Sequence, residues 1–123
     1  MSVLMKVKYA VKSMSALRTA CERLGIELDR ARGEHRVWTK PTIGFAMHLH
    51  GWQHPVVVDD ITGNITYDNH NGSWGNIAEL DRVLQGYSVA HLEETAAQEG
   101  YSIERSVNDM GEIELILTAS SEY

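Results

Sequence analysis

Apolar and polar positions alternate from the start of the chain. Val3, Met5, Val7, Tyr9 and Val11 interleave with Leu4, Lys6, Lys8, Ala10 and Lys12. That period of two predicts a half-buried strand, and its lysines also discourage edge-to-edge pairing. The period then lengthens. Met14, Leu17, Cys21 and Leu24 fall on one helical face, with Ser13 or Ser15 as the N-cap and Gly25 as a left-handed C-cap. Residues 26–32 read as a second strand, and Gly33, Glu34 and His35 as a turn. Residues 36–40 read as a third strand, ended by Pro41 because proline cannot donate to a ladder. Ile43, Phe45, Met47 and Leu49 then alternate with Gly44, Ala46, His48 and His50, a strand with one apolar face and one imidazole face. Val56, Val57 and Val58 form a β-branched buried strand, Thr62 to Asn64 a short connection, and Ile65 to Tyr67 the return strand. Residues 69–75 have no periodicity and read as a loop.

The second half predicts a long helix and a hairpin. Asn76 and Glu79 form a capping box. Ile77, Leu80, Leu84, Tyr87 and His91 share one face, with Val83, Ala90 and Ala97 beside it. Gly86 costs about 1 kcal/mol inside a helix, which predicts a bend or two helices, with Ser88 capping the second. Residues 101–107 and 112–118 form a terminal hairpin around a turn at 108–111. Tyr101, Ile103 and Val107 are expected to oppose Ile113, Leu115 and Leu117 on an inner face, with residues 119–123 frayed. The expected architecture is α+β: a single antiparallel sheet with helices packed on one face, in the order β-α-β-β-β-β-β-α-β-β. Residues 1–123 make one domain.

Composition narrows the function classes. Hydrophobic residues make up 43% of the 123 and charged residues 23%, the profile of a folded globular chain. The net charge of −6 opposes bulk nucleic-acid binding, which draws on Lys and Arg. Lys6, Lys8 and Lys12, with Arg30, Arg32 and Arg36, are the local exception. Cys21 is the one cysteine, so no intrachain disulfide forms and a reducing, cytoplasmic location is expected. No apolar run approaches the roughly 18 residues of a membrane span, and the N-terminus lacks the apolar centre of a signal peptide.

The candidate chemistry is concentrated between Gly44 and Trp74. Four of the six histidines, two of the three tryptophans and the adjacent Asp59 and Asp60 lie there. His48 and His50 project to the same strand face, about 7 Å apart from the strand rise. His54 or His70, with Asp59 or Asp60, would complete a divalent-metal site. The competing reading, a polar strand face of imidazoles, is the favoured one, so no cofactor is expected and a divalent metal on His48, His50, His54 and Asp59 is the alternative. Asp59 and Asp60, being adjacent, point to opposite faces of a strand and do not share a proton. No nucleophile elbow, P-loop, zinc-protease motif or dinucleotide fingerprint is present. Cys21 lies on a buried stripe that keeps a thiol protonated. No catalytic residue is assigned, and a non-enzyme is expected. Trp38 is the third tryptophan. Trp52 and Trp74 sit in polar loops, where aromatics serve as a stacking platform for a nucleotide, as a protein hot spot, or simply as caps folded back on the sheet. With His48, His50, His54 and His70 they make the candidate ligand-binding set.

Several phrases carry a resemblance. They are Met1 and Ser2 before a lysine-bearing strand, Leu24-Gly25-Ile26-Glu27 at the end of the first helix, and Ile43-Gly44-Phe45 in mid-chain. The segment from Leu84-Gln85-Gly86-Tyr87 to Leu92-Glu93-Glu94-Thr95 and its exit at Gly100-Tyr101 complete the set. The chain thereby resembles, over nearly its whole length, the family called hypothetical chloroplast open reading frame 35, a domain of unknown function with plastid, cyanobacterial, other bacterial and phage members. The resemblance implies a small α+β fold, no established activity, and an accessory role, since members often sit beside an AAA-type ATPase gene. The chain departs from the pattern between Trp52 and Trp74, and at Gly86, where the family usually places a basic residue. Three functions are carried forward: an accessory protein acting through a protein partner or self-association, a phage-type protein that binds a small nucleotide signal, and a metal-dependent hydrolase on the His48/His50 face.

Overall fold

Capping sets where the helices lie. In the computed structural model, which describes residues 5–7, 11–37, 40–107 and 109–119, helix α1 (Met14–Leu24) begins at Ser13, whose hydroxyl accepts from the Ala16 N–H. It ends at Gly25, in the left-handed region at φ 69°. Helix α2 (Ile77–Gln98) begins at Asn76, whose side chain accepts from the Ala78 N–H. The strands are β1 (Met5–Val7), β2 (Glu27–Leu28), β3 (Gly33–Val37), β4 (Lys40–His48), β5 (Val56–Val58), β6 (Ile65–Tyr67), β7 (Tyr101–Val107) and β8 (Ile113–Ala119). The α+β class and the order β-α-β-β-β-β-β-α-β-β are therefore as expected. Readings that fell on residues 1–4, 8–10, Trp38, Thr39, Asn108 and 120–123 lie outside the described residues.

The main sheet is antiparallel, ordered β1-β6-β5-β4-β2, with β3 paired to the first half of β4. Both helices pack on one face. Leu17, Ala20 and Cys21 of α1 and Leu80, Val83, Tyr87 and Ala90 of α2 share one buried cluster with Met47, Val56, Val58, Ile65 and Tyr67 of the sheet. Ala46 and Val57 are partners across β4 and β5 and are buried on the sheet's other face. The helices are joined by specific contacts. The Tyr87 hydroxyl accepts from the Lys12 and Ser13 N–H groups, and Arg23 pairs with Glu93 at 2.7 Å. The Ser13 and Ser15 hydroxyls both donate to Glu94. The Glu94 carboxyl is held below its ordinary range by the Ser15 hydroxyl first, then by Ser13 and the nearby His91.

Four expectations are corrected. The turn expected at Gly33, Glu34 and His35 is the start of β3, because Gly33 pairs with Gly44 and Val37 with Lys40. Pro41 does not end a strand. It lies inside β4, opposite Arg36, in the part where β5 has not yet joined, and a strand with one neighbour tolerates a missing N–H. Gly86 does not divide α2, which runs unbroken for 22 residues. Ser88 is no cap, since its hydroxyl donates to the Leu84 carbonyl. Gly86 instead meets α1, where an added Cβ would sit 3.5 Å from Ala20 and 3.7 Å from Leu24. Finally, β7 and β8 form a ladder of their own from Tyr101↔Ala119 to Val107↔Ile113, with β7 touching α2. The hairpin expected to bury Tyr101 and Val107 leaves both exposed.

Candidate functional site

The aromatic stretch folds into a clasp between two loops. Gln53 N–H donates to the Trp74 carbonyl, Trp74 N–H to the Asn69 carbonyl, and the Asn69 amide to the Gly75 carbonyl. The 68–75 loop turns through a 3₁₀ turn (His70–Gly72). His70 and Asn71 there both have positive φ, 48° and 53°, a region that non-glycine residues enter at a cost. Asp68 pins the turn by accepting from the His70 N–H. Trp74 stacks on His70, with ring centroids 4.3 Å apart at 19°, and His54 meets Trp74 edge-on at 5.1 Å.

Trp52 faces the other way. Its ring packs against the core, lies edge-on to Tyr67 at 5.7 Å, and donates from Nε1 to the Asn76 carbonyl at the start of α2. Gly75 makes room for it, since a Cβ there would lie 2.3 Å from the indole. Tyr67 is raised above its ordinary value by burial, with Asp81 adding to the effect. The structure thus brings Trp52, His54, His70 and Trp74 into one region, where their rings serve one another and the core.

The two histidines of the expected imidazole face engage separate partners. Strand β4 stops at His48 and the chain turns at Gly51, with φ at 77°. His50 consequently points back to α1, where its Nε2 lies 3.1 Å from the Gly25 carbonyl. His48 reaches Asp29 at 3.5 Å. Asp59 and Asp60 follow β5 in a loop and both face Arg32, at 3.6 and 3.0 Å, where a strand would have pointed them apart. Asp59 is held below its ordinary value chiefly by the Ile61 N–H. Among the described residues no group of three His, Cys, Asp or Glu is arranged to hold a metal ion.

Sequence reasoning missed Asp29, whose carboxylate is met by His35 at 3.2 Å as well as by His48. No spacing signals this, because β2, β3 and β4 converge there only through their pairing. Cys21 is buried, its thiol pushed up to about 11 by burial, with Met47 Sδ 3.5 Å away. It is a core residue.

Two of the exposed apolar residues lie on strands away from the clasp. Ile116 of β8 is 53% exposed, directly across from Glu104, with Glu114 two residues before it on the same face. Ser102, Ser106 and Thr118 complete that outward face, all exposed. In the sequence Glu114 and Ile116 alternate with the apolar residues at 113, 115 and 117 that were expected to form the inner face. Ile43 is also 53% exposed, although the alternation placed it with Phe45, Met47 and Leu49. It lines an open hollow of about 370 Å³ with Arg32, Lys40, Thr42, Asp59 and Asn64.

No family model, curated protein or solved structure matches the chain.

Proposed function

We propose that this protein is a non-enzymatic accessory protein that works by binding another protein through the outward face of its C-terminal hairpin. The observation that carries this reading is Ile116, a large apolar side chain displayed on a strand face whose other members are Glu and hydroxyl residues. An apolar centre within a polar rim is the anatomy of a protein interface. Among the described residues β7 and β8 pair only with each other, so the ladder also offers backbone edges to a partner strand. The resemblance to a family whose members often sit beside an AAA-type ATPase gene supports the same reading by association.

The small-nucleotide and metal-hydrolase readings have less behind them. Trp74, the best stacking platform, is already stacked on His70 and met by His54. His48 and His50 are turned to separate partners. Among the described residues no helix is long and apolar enough to cross a membrane.

The test is affinity capture from the source cell with the tagged full chain, Ile116→Glu and Trp74→Ala. Ile116→Glu changes an exposed position, where substitutions shift stability by about 0.5 kcal/mol or less. The same protein should be enriched on the parent and on Trp74→Ala and lost from Ile116→Glu. Equal recovery on all three overturns the reading.

A further inference from the structure

A polar hollow opens where the ladder between β4 and β5 ends. That ladder reaches only Phe45↔Val58, so the first residues of β4 part from the 59–64 connection and leave about 370 Å³ between them. The space lies at the small end of ligand pockets and fits a molecule the size of one monosaccharide. Alternation places Lys40 and Thr42 on the β4 face that carries Ala46. Val57, the partner of Ala46, is also the partner of Thr66. Asn64 lies two residues before Thr66, its backbone fixed by the Asp59 N–H, which donates to the Asn64 carbonyl. The sheet face away from the helices therefore delivers Lys40, Thr42, Asn64 and Thr66 to one hollow, and all four line it.

Two observations say what the hollow takes. Thr66 is only 7% exposed, yet its hydroxyl has no hydrogen-bond partner among the described residues. A buried hydroxyl without a partner costs free energy that a valine of the same shape would not. Because Thr66 lines the hollow, a bound hydroxyl group can supply that partner. Charge is the second observation. Arg32 is held by Asp59 and Asp60 at 3.6 and 3.0 Å, whereas exposed Lys40 enters no ion pair among the described residues. We propose that the hollow is a binding site for a small polyhydroxylated anion, a sugar phosphate or a sugar acid. Lys40 meets the anionic group, and Thr42, Asn64 and Thr66 exchange hydrogen bonds with the hydroxyls. The proposal stands whether or not the hairpin binds a protein.

Amide NMR titrations of the full chain test this with four probes: ribose 5-phosphate, gluconate, ribose and inorganic phosphate. At least one of the two sugar anions should shift the amides of residues 40–42 and 59–66 saturably. It should bind about tenfold or more tightly than ribose or inorganic phosphate. Tighter binding of the sugar phosphate or of gluconate assigns the anionic group as phosphate or carboxylate. Thr66→Val keeps the shape and removes the hydroxyl. Lys40→Gln removes the charge at an exposed position, where folding is not at stake. Each should weaken binding about tenfold, and Lys40→Gln should bring the sugar anion to the level of ribose. No saturable shift from either sugar anion up to about 10 mM overturns the proposal, as does parent-like binding in either variant. Inorganic phosphate that binds as tightly as the sugar anions also overturns it, since the hydroxyls then contribute nothing.

Discussion

Replacing Gly75 by alanine tests whether the Trp52 clasp is part of the scaffold. The added Cβ would lie 2.3, 2.6 and 2.6 Å from Cδ2, Cε2 and Cγ of the indole, a distance at which something must move. The ring is not a loose end. It is packed against the core, set edge-on to Tyr67, and tied by Nε1 to the Asn76 carbonyl. Forcing a methyl into such a contact costs about 1–3 kcal/mol. A displaced ring also forfeits a hydrogen bond of about 0.5–1.5 kcal/mol and a ring pair of similar size. Because these terms overlap, the expected loss is about 2–3 kcal/mol. With a urea slope of about 1–3 kcal/mol/M, the midpoint should fall by roughly 1–2 M at unchanged slope. The cycle with Trp52→Ala isolates the cause: once the ring is gone, Gly75→Ala should cost little more. A Gly75→Ala midpoint within about 0.2 M of the parent, or full additivity with Trp52→Ala, would refute the reasoning.

Three other outcomes follow from the same geometry. Gly86→Ala should stabilise the fold by about 0.5–1 kcal/mol, because its Cβ meets Ala20 and Leu24 at ordinary contact distances while the helix loses its glycine; a fall in melting temperature would contradict this. Gly44→Ala should destabilise it, since the Cβ would meet the Val58 carbonyl oxygen at 2.4 Å, backbone that cannot swing away; an unchanged urea midpoint would contradict that. Glu94, with its folded pKa lowered by Ser15 and Ser13, stabilises the fold above the ordinary glutamate range. That share is lost as pH falls through the lowered folded value. Stability curves of the parent and Glu94→Gln should therefore converge in acid, and parallel curves would show that the carboxylate is not involved.

The fold was legible wherever local pattern and packing agreed. Ser13, Gly25 and Asn76 announced the helix ends, and the alternation from Phe45 to Leu49 announced the core face of β4. The errors came where tertiary pairing overrode local punctuation. Gly33 looked like a turn but is held in β3 by Gly44. Gly86 looked like a break but is a point of close helix contact. The candidate site was half legible. Clustering of Trp52, His54, His70 and Trp74 followed from their spacing along two facing loops. Their engagement with one another did not, because hydrogen bonds between residues 53, 69, 74 and 75 decide where each ring points. The separate partners of His48 and His50, Asp29 and the Gly25 carbonyl, depended on tertiary pairing that alternation alone does not fix.

The most direct measurement of the central claim is a cross-link formed from position 116 itself. Cys21 is buried with a raised thiol, so it does not compete for a thiol label. Chains carrying Ile116→Cys and chains carrying Ala78→Cys, another exposed position, are labelled with the same photo-cross-linker and irradiated in lysate of the source cell. The account predicts one protein species joined to the chain labelled at 116 and absent from the chain labelled at 78. The same species from both, or none from either, would contradict it.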